Sequence, residues 1–262
     1  MKRAVLFKAA KAGVFLFGSA LLFAQVEWQP EIRHETEDAV DLITDAAPKR
    51  FEFKFRQNDR SRILSSVDED IFINGRFHHH AEILNRISAK ITEVSSDGTG
   101  TAEALFMTSE NSTGEYGRNF TWGQEYKSVF ARTTSGSYRI ADTYFMPTVR
   151  NVPVFPDTLL KAGDKWSEDG HEAHDLRRTF GIQKPFKVPF TASYEYKGDK
   201  IDGKGNVLSL IEVKYNLYFE SPRKNSSLTA GQINLPAMTM GHSNQKIWWD
   251  NGKGTIDSYS ET

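Results

Sequence analysis

Residues 146–190 carry five of the nine prolines of the chain, Pro147, Pro153, Pro156, Pro185 and Pro189. Proline fixes φ and donates no backbone hydrogen bond, so neither one long helix nor an unbroken central strand can run through this stretch. Strand-like runs lie on both sides of it. The stretch therefore reads as a connecting belt between a first half of a sheet and a second. Residues 151–157 (NVPVFPD) read as extended chain that tucks apolar side chains under the sheet. Residues 162–166 (AGDKW) read as a tight turn delivering Trp166 into a new strand. Pro153, Phe155, Pro156, Gly163, Asp164 and Trp166 are the residues expected to build this belt, with Trp166 buried against residues 152–155.

The flanks read as strands. In residues 50–56 (RFEFKFR), Phe51, Phe53 and Phe55 alternate with charges, the period-two pattern of a strand with one buried face. Residues 61–68 and 71–73 read as strand pieces, and Asn74-Gly75 as a hairpin turn. Residues 77–94 place Ile83, Ile87 and Ile91 at a helical spacing of four, yet Ile87, Ala89 and Ile91 also alternate. The β-branched residues and flanking turn signals favour one long, bent strand. Residues 101–108 form the returning strand, and 110–117 a polar loop. Residues 122–132 and 137–142 make a hairpin around Thr134-Ser135-Gly136. The strongest hairpin pairs 186–196 with 207–219 across a loop at 197–205. Residues 227–242, 244–249 and 255–259 continue the meander. Many strands with short connections imply an all-β fold with a large antiparallel sheet. A sheet of that size curves into a half-barrel, a barrel or a two-layer sandwich.

At the N-terminus, Lys2, Arg3, Lys8 and Lys11 precede an apolar run from Ala12 to Ala24. A basic segment, a short apolar segment and a small residue before polar sequence form a secretory signal peptide, here residues 1–24. The run falls short of the ~20 apolar residues a membrane span needs. Residues 25–49 read as an acidic linker. Residues 50–262 read as the β domain, either undivided or in halves 50–145 and 146–262. The chain holds 33 basic and 34 acidic side chains, and losing four basic ones with the leader leaves a net charge of −5. That balance gives no electrostatic footprint for nucleic acid. With no cysteine, the fold contains no disulfide.

Two histidine clusters carry the candidate chemistry. On a strand, His78 and His80 share one face and His79 the other, which leaves a metal short of a third ligand. His171 and His174 are three apart, so the four-residue spacing of a helical zinc motif fails and the two rings point to opposite faces of a strand. Neither cluster is expected to bind metal, and no cofactor is expected. No phosphate-binding glycine loop and no nucleophile elbow occur. The aromatic stripes read as core.

The order of residues 149–157 (VRNVPVFPD), 162–166 (AGDKW), 172–176 (EAHDL), Pro189-Phe190 and 194–196 (YEY), with Asn74-Gly75 and 81–86 (AEILNR) upstream, resembles the N-terminal region of spirochaete outer-membrane-protein-A-type (OmpA-family) envelope proteins. The resemblance spans most of residues 50–260. It implies a β module of the periplasm, associated with the outer membrane. The peptidoglycan-binding domain that follows in that family has no counterpart up to Thr262, so peptidoglycan binding is not carried over. The expected function is a non-catalytic scaffold or docking module whose partners are other periplasmic or outer-membrane proteins. Its recognition surfaces are expected in the long polar loops 110–118, 197–205 and 222–229. The alternative is a carrier or sensor that holds a hydrophobic, lipid-like ligand against a curved sheet.

Overall fold

The computed structural model describes residues 6–7, 41–73, 76–114, 117–123, 125–175, 184–220 and 238–262. The chain is all-β, with two sheets, one of them curled as a half-barrel. The six-stranded sheet runs in the order β2 (Arg60–Ile73), β3 (Arg76–Val94), β4 (Gly100–Gly114), β6 (Tyr126–Arg132), β7 (Tyr138–Ile140), with β5 (Gly117–Trp122) paired to the far end of β4. The seven-stranded sheet runs β1 (Leu6–Phe7), β12 (Met238–Asp250), β11 (Val207–Glu220), β10 (Phe186–Ile201), β9 (Lys165–His174), β8 (Val149–Arg150), with β13 (Thr255–Glu261) also on β12. Every pairing is antiparallel apart from the two-residue β1, which runs parallel to β12.

Alternation explains the main core. On β10, Phe186, Val188, Phe190, Ala192, Tyr194 and Tyr196 are all buried, and on β11 so are Ile211, Val213, Tyr215 and Leu217. Ile247 and Trp249 of β12 complete that face. Facing it, Phe51, Phe53 and Phe155 pack in from outside the ladders. Phe53 meets Trp249 edge-on at 4.7 Å, and Phe155 meets the same ring at 4.8 Å, the T-shaped geometry that aromatic quadrupoles favour.

Several expectations are corrected. Residues 50–56 keep the alternating burial but form no ladder. Their backbone instead bonds to two turns, with Phe53 N–H donating to Thr134 O at 2.7 Å and Lys54 N–H to Gly254 O at 3.1 Å. The segment thus buckles one sheet to the other. Residues 110–117 are not a loop: β4 runs to Gly114, and β5 returns from Gly117 in register with it. Backbone pairing does not require apolar side chains, so the polar composition hid this hairpin. The 197–205 loop is shorter than expected, because β10 passes through a bulge at Lys197 and continues to Ile201. Residues 61–68 and 71–73 belong to the one strand β2, and β12 runs unbroken through Ser243. The proline-rich stretch also divides, since β9 and the start of β10 lie within it as ladder strands; the connecting belt is residues 141–164. Pro189 is tolerated in β10 because it pairs there only with β9, the β10–β11 ladder beginning at Ser193. The expected turn at Asn74-Gly75 and residues 222–237 lie outside the described residues.

Gly136 sits where the β6–β7 turn meets the belt. Its φ is +107°, and a Cβ there would stand 2.3 Å from the carbonyl oxygen of Pro153. Gly163 has a similar φ of +91° but open space around it. Urea unfolding should therefore separate the two. Gly163→Ala is expected to cost ~1 kcal/mol, the conformational term alone, and Gly136→Ala at least ~3 kcal/mol, because backbone must move as well.

Candidate functional site

The belt residues occupy the junction of the two sheets. Asp164 N–H donates to Lys161 O at 3.0 Å, and Asp164 Oδ2 accepts from Lys161 N–H at 2.9 Å, closing a turn around Gly163. Gly163 N–H donates to Tyr196 O at 2.7 Å, which fixes the turn to β10. Trp166 is partly rather than fully buried. Its ring stacks on Tyr194 at 5.1 Å and 5°, and its Nε1–H donates to Val154 O at 2.7 Å. Phe155 is buried and stacks on Phe51 at 5.4 Å. Pro153 contributes its carbonyl, which accepts from Arg132 Nη2 at 3.2 Å, and Pro156 is half-buried beside Phe155.

A buried polar group lies within the seven-stranded sheet, where its β10–β11 ladder is absent. Glu172 and His174, two apart on β9, share the inward face, where Glu172 Oε2 lies 3.1 Å from His174 Nε2. Tyr215 of β11 donates to Glu172 Oε1 at 3.1 Å. The link spans a seam, because β10 and β11 are not paired beside it. Aromatic rings bridge that seam instead: Phe190 stacked on Tyr215 at 4.0 Å, and Phe186 tilted against Phe219 at 5.7 Å. Burial first, then the nearby Glu172 and Glu261 carboxylates, pushes the Tyr215 hydroxyl far up, so it stays protonated and acts as a donor. Next to it, Ser243 donates to Glu261 Oε1 at 2.5 Å. Sequence reading set His174 beside His171 and missed Glu172. The i, i+2 spacing of Glu172 and His174 on a strand was the available signal; nothing local pointed to Tyr215, 43 residues away.

His171 lies on the other face of β9, directly opposite Arg150 of β8. Burial lowers its pKa, helped by the positive charges of Arg150 and Lys187. Arg150 is itself buried and donates to Tyr144 O at 2.5 Å and Pro147 O at 3.2 Å. Of the first histidine run, His80 is described in full: its Nδ1 lies 2.9 Å from Asp70, and that hydrogen bond raises its pKa. His79 Nε2 lies 3.9 Å from Glu110 on β4. The side chain of His78 lies outside the described residues. Among the described residues no set of three or more His, Asp or Glu side chains is arranged to hold a metal ion.

A third feature is the β10–β11 tip. Asp202 ties the turn together, its Oδ1 accepting from Lys204 N–H and Asn206 N–H at 2.8 Å each and its Oδ2 from Asn206 Nδ2 at 2.7 Å. Beside the turn Ile201 and Val207 stand opposite each other, 61% and 42% exposed. Searches among known proteins match no family model, no curated protein and no solved structure.

Trp166→Phe should keep the stack on Tyr194 and lose the hydrogen bond to Val154, for ~1 kcal/mol. Trp166→Ala should lose both, for ~3 kcal/mol. Equal costs for the two variants in chemical denaturation would show that the ring packing contributes nothing.

Proposed function

We propose that this chain is a non-catalytic module of the cell envelope that works by presenting a docking surface to other periplasmic or outer-membrane proteins. The observation that carries the proposal is the β10–β11 tip. Ile201 and Val207 form an exposed apolar pair on a turn made rigid by Asp202, with Lys200 and Lys204 at its rim. A pre-ordered apolar pair with a charged rim suits recognition, since little ordering cost remains to be met on binding. The leader-like residues 1–24 support export to the periplasm, and the resemblance to OmpA-family envelope proteins supports the compartment. Glu172, Tyr215 and Ser243 engage internal partners, which favours a structural role for them over a catalytic one. The carrier reading has less support, because Phe51, Phe53 and Phe155 already pack against the apolar face of the seven-stranded sheet.

Photo-cross-linking from the tip in the native envelope tests the proposal. Ile201→Ser combined with Val207→Ser should lower partner capture about tenfold, the loss expected from two interface anchors. Stability should move by no more than ~0.5 kcal/mol. Undiminished capture, or a hydrophobic ligand that co-purifies with the chain and is lost on enlarging Ala192, would refute the docking reading.

A further inference from the structure

The edge of the six-stranded sheet is written in a self-complementary way. Among the described residues β2 is its outermost strand, hydrogen-bonded along one side to β3, while the short β1 approaches without a ladder. From Arg60 to Ile71 the register with β3 is regular, and it shifts at Phe72. That leaves a long edge in regular register, whose outward N–H and C=O groups are a template for another strand. Its charges are segregated. Arg60 and Arg62 lie at one end, Asp68, Glu69 and Asp70 at the other, and residues 63–67 between them carry no charge. Arg60, Arg62, Asp68 and Asp70 alternate onto one face of the strand and are exposed, Asp68 at 71% and Asp70 at 59%. Ile63 and Leu64, in the uncharged middle, are 44% and 43% exposed.

We propose that β2 pairs with β2 of a second copy, antiparallel and about a two-fold axis through Ser65. Residues directly opposite across antiparallel strands lie on one face. With Ser65 on the axis, Arg60 of each copy stands opposite Asp70 of the other, and Arg62 opposite Asp68. On the same outer face Leu64 meets Ser66, and on the inner face Ile63 meets Val67. On that outer face each copy thus gives two cationic and two anionic positions, and all four find opposite charge; Glu69, of the other parity along the strand, takes the register position opposite Ser61. Shifting the register by two residues would set Arg62 against Asp70 and leave Arg60 and Asp68 without a counterpart, so the pattern selects one register. Charges placed only to block an edge need no such order.

The groups behind the edge fit this occupant. The β2–β3 register sets Arg60 opposite Lys90 and Asp68 opposite Glu82, like charges facing within one copy at both ends, while His80 also reaches Asp70 at 2.9 Å and Asp68 at 3.8 Å. A two-fold partner brings the opposite sign to each. The groove over this part of the sheet, about 360 Å³ and lined by Arg60, Arg62, Lys90 and Lys127, is basic, with Glu103 held 3.1 Å from Lys127. Isologous pairing of this kind closes at two copies and joins two six-stranded sheets into one. The inference does not depend on the docking function of the β10–β11 tip, which belongs to the other sheet.

Sedimentation of the full chain tests it. The wild type should dimerise, with a Kd that weakens about tenfold or more as salt rises through the range that screens surface charges. Arg60→Asp with Arg62→Asp makes all four positions acidic, and Asp68→Arg with Asp70→Arg makes all four basic. Each double variant should be monomeric by itself, and a one-to-one mixture should form a heterodimer. An independent test avoids changing charge. The chain has no cysteine, so Leu64→Cys and Ser66→Cys introduce lone thiols. Under mild oxidation, the mixture of these two should give a disulfide-linked dimer far faster than either variant alone. A wild type that stays monomeric overturns the proposal and leaves another occupant, such as the chain's own N-terminal segment, for the edge. Charge variants that still self-associate as tightly as wild type, or a mixture that fails to associate, overturn it equally.

Discussion

The guanidinium of Arg132 is where the two sheets are fastened. It lies 3.8 Å from the centre of the Phe53 ring and 4.5 Å from that of Tyr138. Its N–H groups donate to Gly136 O at 2.9 Å, Val152 O at 3.1 Å and Pro153 O at 3.2 Å. One cation therefore touches the buckle at residues 50–56, the β6–β7 hairpin and the connecting belt. Among the described residues no carboxylate takes part. Attraction to two ring faces and three carbonyl dipoles replaces an ion pair, and burial alone pulls its pKa down. The surrounding bonds depend on the same arrangement: Phe155 N–H reaches Ser135 O at 2.8 Å, and Tyr138 N–H reaches Asn151 Oδ1 at 2.8 Å.

From this junction the seven-stranded sheet runs toward a polar end. Near the junction its interior is aromatic and closed by Phe51, Phe53, Phe155 and Trp249. Beyond Ser193 the β10–β11 ladder stops, and side chains take over from backbone. The Phe190–Tyr215 stack and the Tyr215–Glu172 hydrogen bond hold the seam. A second buried carboxylate, Asp199, serves the opposite end. Burial works against its charge, but Lys49, Ser209 and Tyr196 outweigh it and hold its pKa below the usual carboxylate value. These interior charges secure segments that backbone pairing leaves loose, while the apolar tip and the charged edge stay exposed.

Period two made the fold class legible. On β10 and β11 every second residue enters one core, so Phe, Val, Tyr and Leu recur at that spacing. The same pattern misled at residues 50–56, because alternating burial needs only an extended chain with one side on a core. Whether its backbone bonds a strand or a turn depends on Thr134 and Gly254, far away in sequence. The β4–β5 hairpin was invisible for the opposite reason, its Ser, Asn and Thr side chains carrying no burial signal. Arg132 carried no sequence signal, since nothing near it in sequence announces Val152 and Pro153. Glu172 stood next to a noticed histidine, yet its partner Tyr215 lies across the seam. The belt residues were legible as turn and anchor chemistry, whereas the charge order of β2 becomes meaningful only once β2 is known to be an edge.

Arg132→Met tests the junction most directly, since it keeps an unbranched apolar stem and removes the donors. Three carbonyls lose their donor at once, so the account predicts a loss of ~3 kcal/mol in urea unfolding. It also predicts that, in a background with Trp28 and Trp122 replaced by Phe, tryptophan fluorescence, then reporting Trp166, Trp248 and Trp249 of one sheet, and far-UV circular dichroism, reporting both, shift together in a single transition. A loss under ~1 kcal/mol, or two transitions that separate in that background with Arg132 in place, would contradict the claim that this one cation holds the sheets as a unit.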